Sequence, residues 1–102
     1  MAPHKKIAVK IDAELAELIP EFLKNRDTDI QTMSEALKQG DYVLVERIGH
    51  GMKGAGAGFG FDPITDIGAN IEKAARVKDL EEVQKAICQL TDYIQNIEVT
   101  YE

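Results

Sequence analysis

From residue 12 onward the apolar side chains recur at intervals of three and four, the spacing that puts them on one side of a helix whose opposite side faces water. Helices therefore dominate the chain. Asp12 is placed to cap a short turn running through Leu18. Pro20 disfavours a helical conformation at Ile19 and belongs in the first turn of a new helix. Phe22 and Leu23, then Ile30, Met33 and Leu37, form the buried seam of that helix. Gly40 fits just past its end, where a left-handed residue closes many helices, and Asp41 is placed to cap the next. That next helix starts at about Tyr42 with Leu44, Ile48, Met52, Ala55 and Phe59 on its inner face. Asp62 and Pro63 read as the N-cap and first-turn proline of a further helix, with Ile64, Ile67, Ile71 and Ala74 inside. Asp79 with Glu82 resembles a capping box, opening a last helix with the seam Leu80, Val83, Ile87, Leu90, Ile94 and Ile97. Connections this short favour an all-α, up-down-up-down antiparallel four-helix bundle over about residues 12–98, preceded by a short N-terminal helix. The whole chain, 1–102, reads as a single domain.

Near the two ends of the sequence the period changes. Ile7, Val9 and Ile11, and again Ile97, Val99 and Tyr101, alternate with other residues at period two. These segments can pair as a small two-stranded ribbon, or they are frayed helix ends.

With 102 residues, 44% of them hydrophobic, the chain has material for one core. It has no run of eighteen apolar residues, and its opening Met1-Ala2-Pro3-His4-Lys5-Lys6 is not followed by the apolar stretch of a secretion signal, so a soluble cytoplasmic protein is expected. A single cysteine, Cys88, excludes an internal disulfide and is expected to lie buried or half-buried on its helix. A net charge of −6 with scattered Lys and Arg argues against nucleic-acid binding, because phosphate attraction needs a basic face. No membrane contact is expected either, and a protein partner fits better.

Between Gly49 and Gly60 the chain places six of its eight glycines in twelve residues, inside what the apolar spacing reads as helix. Each glycine in a helix interior costs about 1 kcal/mol relative to alanine. Close helix packing accounts for inward glycines but not for outward ones. With the inner direction set by Leu44, Ile48, Met52, Ala55 and Phe59, His50 points away from the core into solvent. Lys53 and Gly54 occupy adjoining outward positions one turn on, with Ala57 beneath them. A lone exposed imidazole is ordinarily just solvated, but this one stands among very small side chains with a cation beside it, which suits a docking surface with a reactive centre. Glu46, one turn before His50, could hold one ring nitrogen or simply be solvated. Arg47 flanks the same patch and could meet a partner, with the same bland alternative.

The run His50-Gly51-Met52-Lys53-Gly54 resembles the H-x-[LM]-K-G core of histidine-containing phosphotransfer (HPt) domains, and Gly60 fits the glycine that follows the histidine by ten residues. The resemblance continues through Pro20-Glu21-Phe22-Leu23, the turn Ala36-Leu37-x-x-Gly40-Asp41, and Ile71-Glu72-x-Ala74-Ala75. The chain departs from the family pattern at Gly51, Gly56 and Gly58, where larger residues are usual. The resemblance implies a four-helix bundle acting as a phosphorelay intermediate in two-component signalling. His50 would accept a phosphoryl group on Nε2 from a receiver-domain aspartate and pass it to another. Lys53 would steady the phosphoryl oxygens, and Gly54, with Gly51 and Ala57, would let the partner come close. An ordinary imidazole is largely neutral at pH 7 and needs no dedicated base for this attack. The partners implied are response-regulator receiver domains or a hybrid sensor histidine kinase. No cofactor belongs to the chain itself, the magnesium ion being expected on the receiver. The chain is expected to be monomeric, with no kinase or phosphatase activity of its own.

Other readings compete. Gly49-x-Gly51-x-x-Gly54 matches a dinucleotide-binding pattern, but that fold needs strands alternating with helices, and everything after Asp62 reads as helix. A four-helix adaptor that docks a signalling partner without being phosphorylated is the stronger rival, though it would not need His50 beside Lys53. Metal binding by His4 and His50 lacks a ligand cluster. The helices that dimerise sensor kinases also carry a phosphorylated histidine, but there an acidic residue follows it where this chain has Gly51.

Overall fold

A computed structural model describes residues 6–102. Four helices form the bundle: α1 (Ile19–Lys38), α2 (Tyr42–Gly56), α3 (Asp62–Arg76) and α4 (Leu80–Asn96). Each packs on the helix before and after it, and α1 closes the ring against α4. Pro20 lies in the first turn of α1 as expected, but Ile19 before it is already helical, because its fully buried side chain is held in the core at the helix start. Gly40 takes the left-handed conformation, with φ +72°. Asp41 then accepts the Leu44 N–H at 3.1 Å to start α2. The interior holds Ile19, Met33, Val45, Met52, Phe61, Ile64, Ile71, Val83 and Leu90, each less than 2% exposed.

Several local expectations shift. The short N-terminal helix is a single 3₁₀ turn, Ala13–Leu15, in which Asp12 accepts the Glu14 N–H. Phe61 takes the N-cap position of α3, and Asp62 is already helical, because the fully buried Phe61 ring anchors the chain where a polar cap would have stood. At α4 only half of the capping box forms. Asp79 accepts the Glu82 N–H at 3.1 Å, while its own N–H goes to the Ala74 carbonyl at 2.9 Å and needs nothing from Glu82. In α4 the seam runs through Val83, Ala86, Ile87, Leu90 and Tyr93, leaving Leu80 exposed at the helix start. Cys88 is exposed rather than buried, since it lies on the outer side of that seam.

The segments of period two do pair, and in parallel. Strand β1 (Ile7–Ile11) matches β2 (Ile97–Tyr101), Ile7 with Ile97 through Ile11 with Tyr101. Glu102 extends the ladder by donating to the Ile11 carbonyl and accepting from the Ala13 N–H. Ile11 is 1% exposed and ties the ribbon into the bundle core. Phe22 of α1 stacks between Phe59 and Phe61, with centroids 4.5 and 5.3 Å away, and so fixes the link between α2 and α3.

The inner face of α2 is rotated from the expected one. Val45, Gly49, Met52 and Gly56 are buried, whereas Leu44 is 37% exposed and Ile48 and Ala55 are half-buried. The reason lies in the glycines. A side chain's hydropathy marks the inward direction only if there is a side chain, and α2 turns two bare positions towards α3. A Cβ on Gly49 would lie 2.8 Å from the Glu72 backbone nitrogen and 2.9 Å from the Gly68 carbonyl oxygen. One on Gly56 would lie 2.6 Å from the Thr65 nitrogen. Helices α2 and α3 thus touch backbone to backbone. Gly51, Gly54 and Gly58, by contrast, have nothing within 4 Å of a Cβ and face open space. Regular helix continues through Gly56 before a 3₁₀ turn, Ala57–Phe59, that Gly60 ends at φ +89°.

Candidate functional site

His50 projects from the middle of α2 with its side chain 70% exposed, the orientation the sequence had implied. The group that engages it comes from α3. Glu72 sets Oε2 2.7 Å from His50 Nδ1 and receives a hydrogen bond from Lys53 Nζ on Oε1 at 3.3 Å. One carboxylate thereby joins the two α2 residues that stand on neighbouring turns. Its side chain is only 12% exposed.

An ionised carboxylate can only accept, so the hydrogen in this contact sits on Nδ1. Nε2 is then the nitrogen with the free lone pair, and it belongs to the exposed ring. The bond from His50 is the chief cause holding the Glu72 carboxyl below the usual glutamate range; Lys53 pulls the same way, while partial burial pushes upward. Glu72 therefore stays ionised at neutral pH and remains an acceptor.

Glu46 does not hold the ring. It accepts a hydrogen bond from Arg76 Nε of α3 at 3.2 Å, and Arg76 Nη2 lies 3.6 Å from Glu72 Oε2. Residue 46 is a full turn from the histidine on the same helix, but across the seam it meets residue 76, one turn beyond Glu72. The outcome is a ladder of opposite charges from Glu46 through Arg76 and Glu72 to Lys53, with the His50 ring hydrogen-bonded to Glu72. Arg47 is exposed and makes no ion pair among the described residues. Gly51, Gly54 and Ala57 are all exposed. Ala57 also donates its N–H to the Thr65 hydroxyl at 2.7 Å, tying the end of α2 to α3. His4 lies outside the described residues. Among those residues, no group of three or more His, Cys, Asp or Glu side chains could hold a metal ion.

Glu72 and Arg76 are the residues that sequence reasoning left without a role. A signal was present: Ile64, Ile67 and Ile71 set the inner face of α3, which puts Glu72 about 100° around from Ile71, at the rim of the seam. Which of the two flanking helices that rim would meet depended on α2 turning its glycines, not Leu44, towards α3.

Chemically, the arrangement presents an exposed nucleophilic nitrogen, a carboxylate able to balance positive charge on the ring, a cation within reach of an incoming anion, and bare backbone around all three. A family model described as Hpt domain matches residues 17–100. No curated protein and no solved structure matches the chain.

Proposed function

The chain belongs to the Hpt domain family, whose members are phosphotransfer modules of two-component phosphorelays, and from that premise we propose that His50 is its phosphoryl carrier. Nε2 attacks the phosphorus of a receiver's aspartyl phosphate. The N–P bond forms as the P–O bond breaks, and the aspartate leaves as a carboxylate with that electron pair. The ring keeps its Nδ1 hydrogen and becomes cationic, which Glu72 offsets from 2.7 Å. Transfer to a second receiver reverses each change.

Lys53 holds the phosphoryl oxygens as a point charge once they arrive, leaving Glu72 to the ring and to Arg76. Gly51, Gly54 and Ala57 let the receiver's acidic pocket reach Nε2, and Arg47 meets the partner's rim. The magnesium ion stays with the receiver, since the one carboxylate touching His50 is already shared with two cations, Lys53 and Arg76. The chain acts as a single monomeric domain that carries phosphoryl groups and neither makes nor hydrolyses them. No described helix is long and apolar enough to cross a membrane, and the proposal places the exchange in the cytoplasm, with receiver domains and a hybrid sensor kinase as partners.

The observation that carries this reading is the pairing of Nδ1 with Glu72 on a ring that is otherwise open to solvent. The test mixes the protein with radiolabelled phospho-receivers. Wild type takes up acid-labile label and His50→Gln, with an unchanged circular dichroism spectrum, takes up none. Equal label on the two proteins would remove His50 as the carrier, and no label on either would leave a docking adaptor as the function instead.

A further inference from the structure

Two of the helix-seam glycines lie level with the reactive ring. Gly49 immediately precedes His50, and the Cβ it lacks would meet the backbone nitrogen of Glu72 itself at 2.8 Å. Gly68 faces it from α3, where a Cβ would come within 2.6 Å of the Lys53 nitrogen and 2.8 Å of the Gly49 carbonyl oxygen. These neighbours are backbone atoms of two regular helices and cannot swing aside as a side-chain tip would. A methyl group at either position must move α3 away from α2.

Resting on the phosphotransfer reading above, we propose that Gly49 and Gly68 are positioning residues: by fixing how closely α2 and α3 approach, they set the reach of the Glu72 carboxylate to His50 Nδ1 and to Lys53. Glu72 spans the gap with an ordinary glutamate side chain and ends at 2.7 Å from one partner and 3.3 Å from the other. A wider gap opens both contacts together. The ring then loses the acceptor that keeps its hydrogen on Nδ1, and Nε2 is no longer the assured nucleophile. Gly56 provides the internal comparison. It is equally buried and equally tight against α3, at 2.6 Å from the Thr65 nitrogen, but lies nearly two helical turns beyond His50.

The experiment compares wild type with Gly49→Ala, Gly68→Ala and Gly56→Ala, reading the nitrogen shifts of the His50 imidazole by NMR, the melting temperature, and phosphoryl uptake from a labelled phospho-receiver. All three variants melt earlier. Only Gly49→Ala and Gly68→Ala move the imidazole off the Nδ1–H tautomer, and their uptake falls by roughly 10²-fold, the penalty of a catalytic group displaced by about an ångström. In a Glu72→Ala background Gly68→Ala slows uptake no further. Should the alanine variants not fold, Glu72→Asp with the glycines intact carries the test: a carboxylate one methylene short of the gap must release Nδ1. The proposal is overturned if Gly68→Ala or Glu72→Asp keeps the wild-type tautomer, or if Gly56→Ala shifts it as much. Wild type that accepts no label would sink the phosphotransfer reading alone, while the nitrogen shifts would still decide whether the glycines place Glu72.

Discussion

Glu72 accepts from His50 across the α2–α3 seam at 2.7 Å, although the two residues are 22 positions apart in the chain. The contact makes the state of the imidazole a property of two helices rather than of the motif around the histidine.

Replacing Glu72 with alanine should therefore slow phosphoryl uptake without unfolding the bundle. Losing the acceptor that orients the ring and offsets its charge in the transition state should slow uptake by roughly ten- to a hundredfold. Single-turnover uptake from a phospho-receiver, measured beside thermal melting, separates the two effects.

The same carboxylate makes stability depend on pH with a definite sign. Its folded pKa is depressed, mainly by His50, so the pairing contributes fully above the ordinary glutamate value of about 4.3 and is lost as pH falls through the lower folded value. The melting-temperature difference between wild type and Glu72→Gln should persist through mildly acidic pH and shrink below that ordinary value. A difference that vanished well above it would contradict the depressed pKa.

Glycines on the open side of α2 answer to different physics from those in the seam. Gly51 is helical with nothing within 4 Å of a Cβ, so Gly51→Ala should stabilise the protein by about 1 kcal/mol. Gly40, also without neighbours but at φ +72°, should lose about 1 kcal/mol on change to alanine. Denaturant titrations of the two variants should shift in opposite directions.

Cys88 is exposed on α4. A thiol reagent should label it in the native protein at a rate close to that in denaturant, and slow labelling would place it back in the interior.

Much of this was legible in the sequence because side chains carried the signal. The seams of α1 and α3, the left-handed turn at Gly40, the cap at Asp41 and the outward direction of His50 all follow from residue chemistry at known helical spacing. The facing of α2 did not, because its inward positions 49 and 56 are marked by missing side chains, and Leu44 and Ala55 offered an apolar stripe nearby. With the facing of α2 hidden, Glu72 and Arg76 had no assigned role, and Glu46, which could have held the ring or been solvated, in fact pairs with Arg76. The ends of the chain showed the alternation of a ribbon, but nothing in an alternating pattern tells parallel from antiparallel pairing.

That direction has a mechanical meaning. Because β1 and β2 run side by side in the same sense, traction applied before Ile7 and after Tyr101 pulls the strands lengthwise past each other. The rungs between them are then strained together and not peeled one by one, so a tether on either side of this bundle would meet its stiffest resistance first.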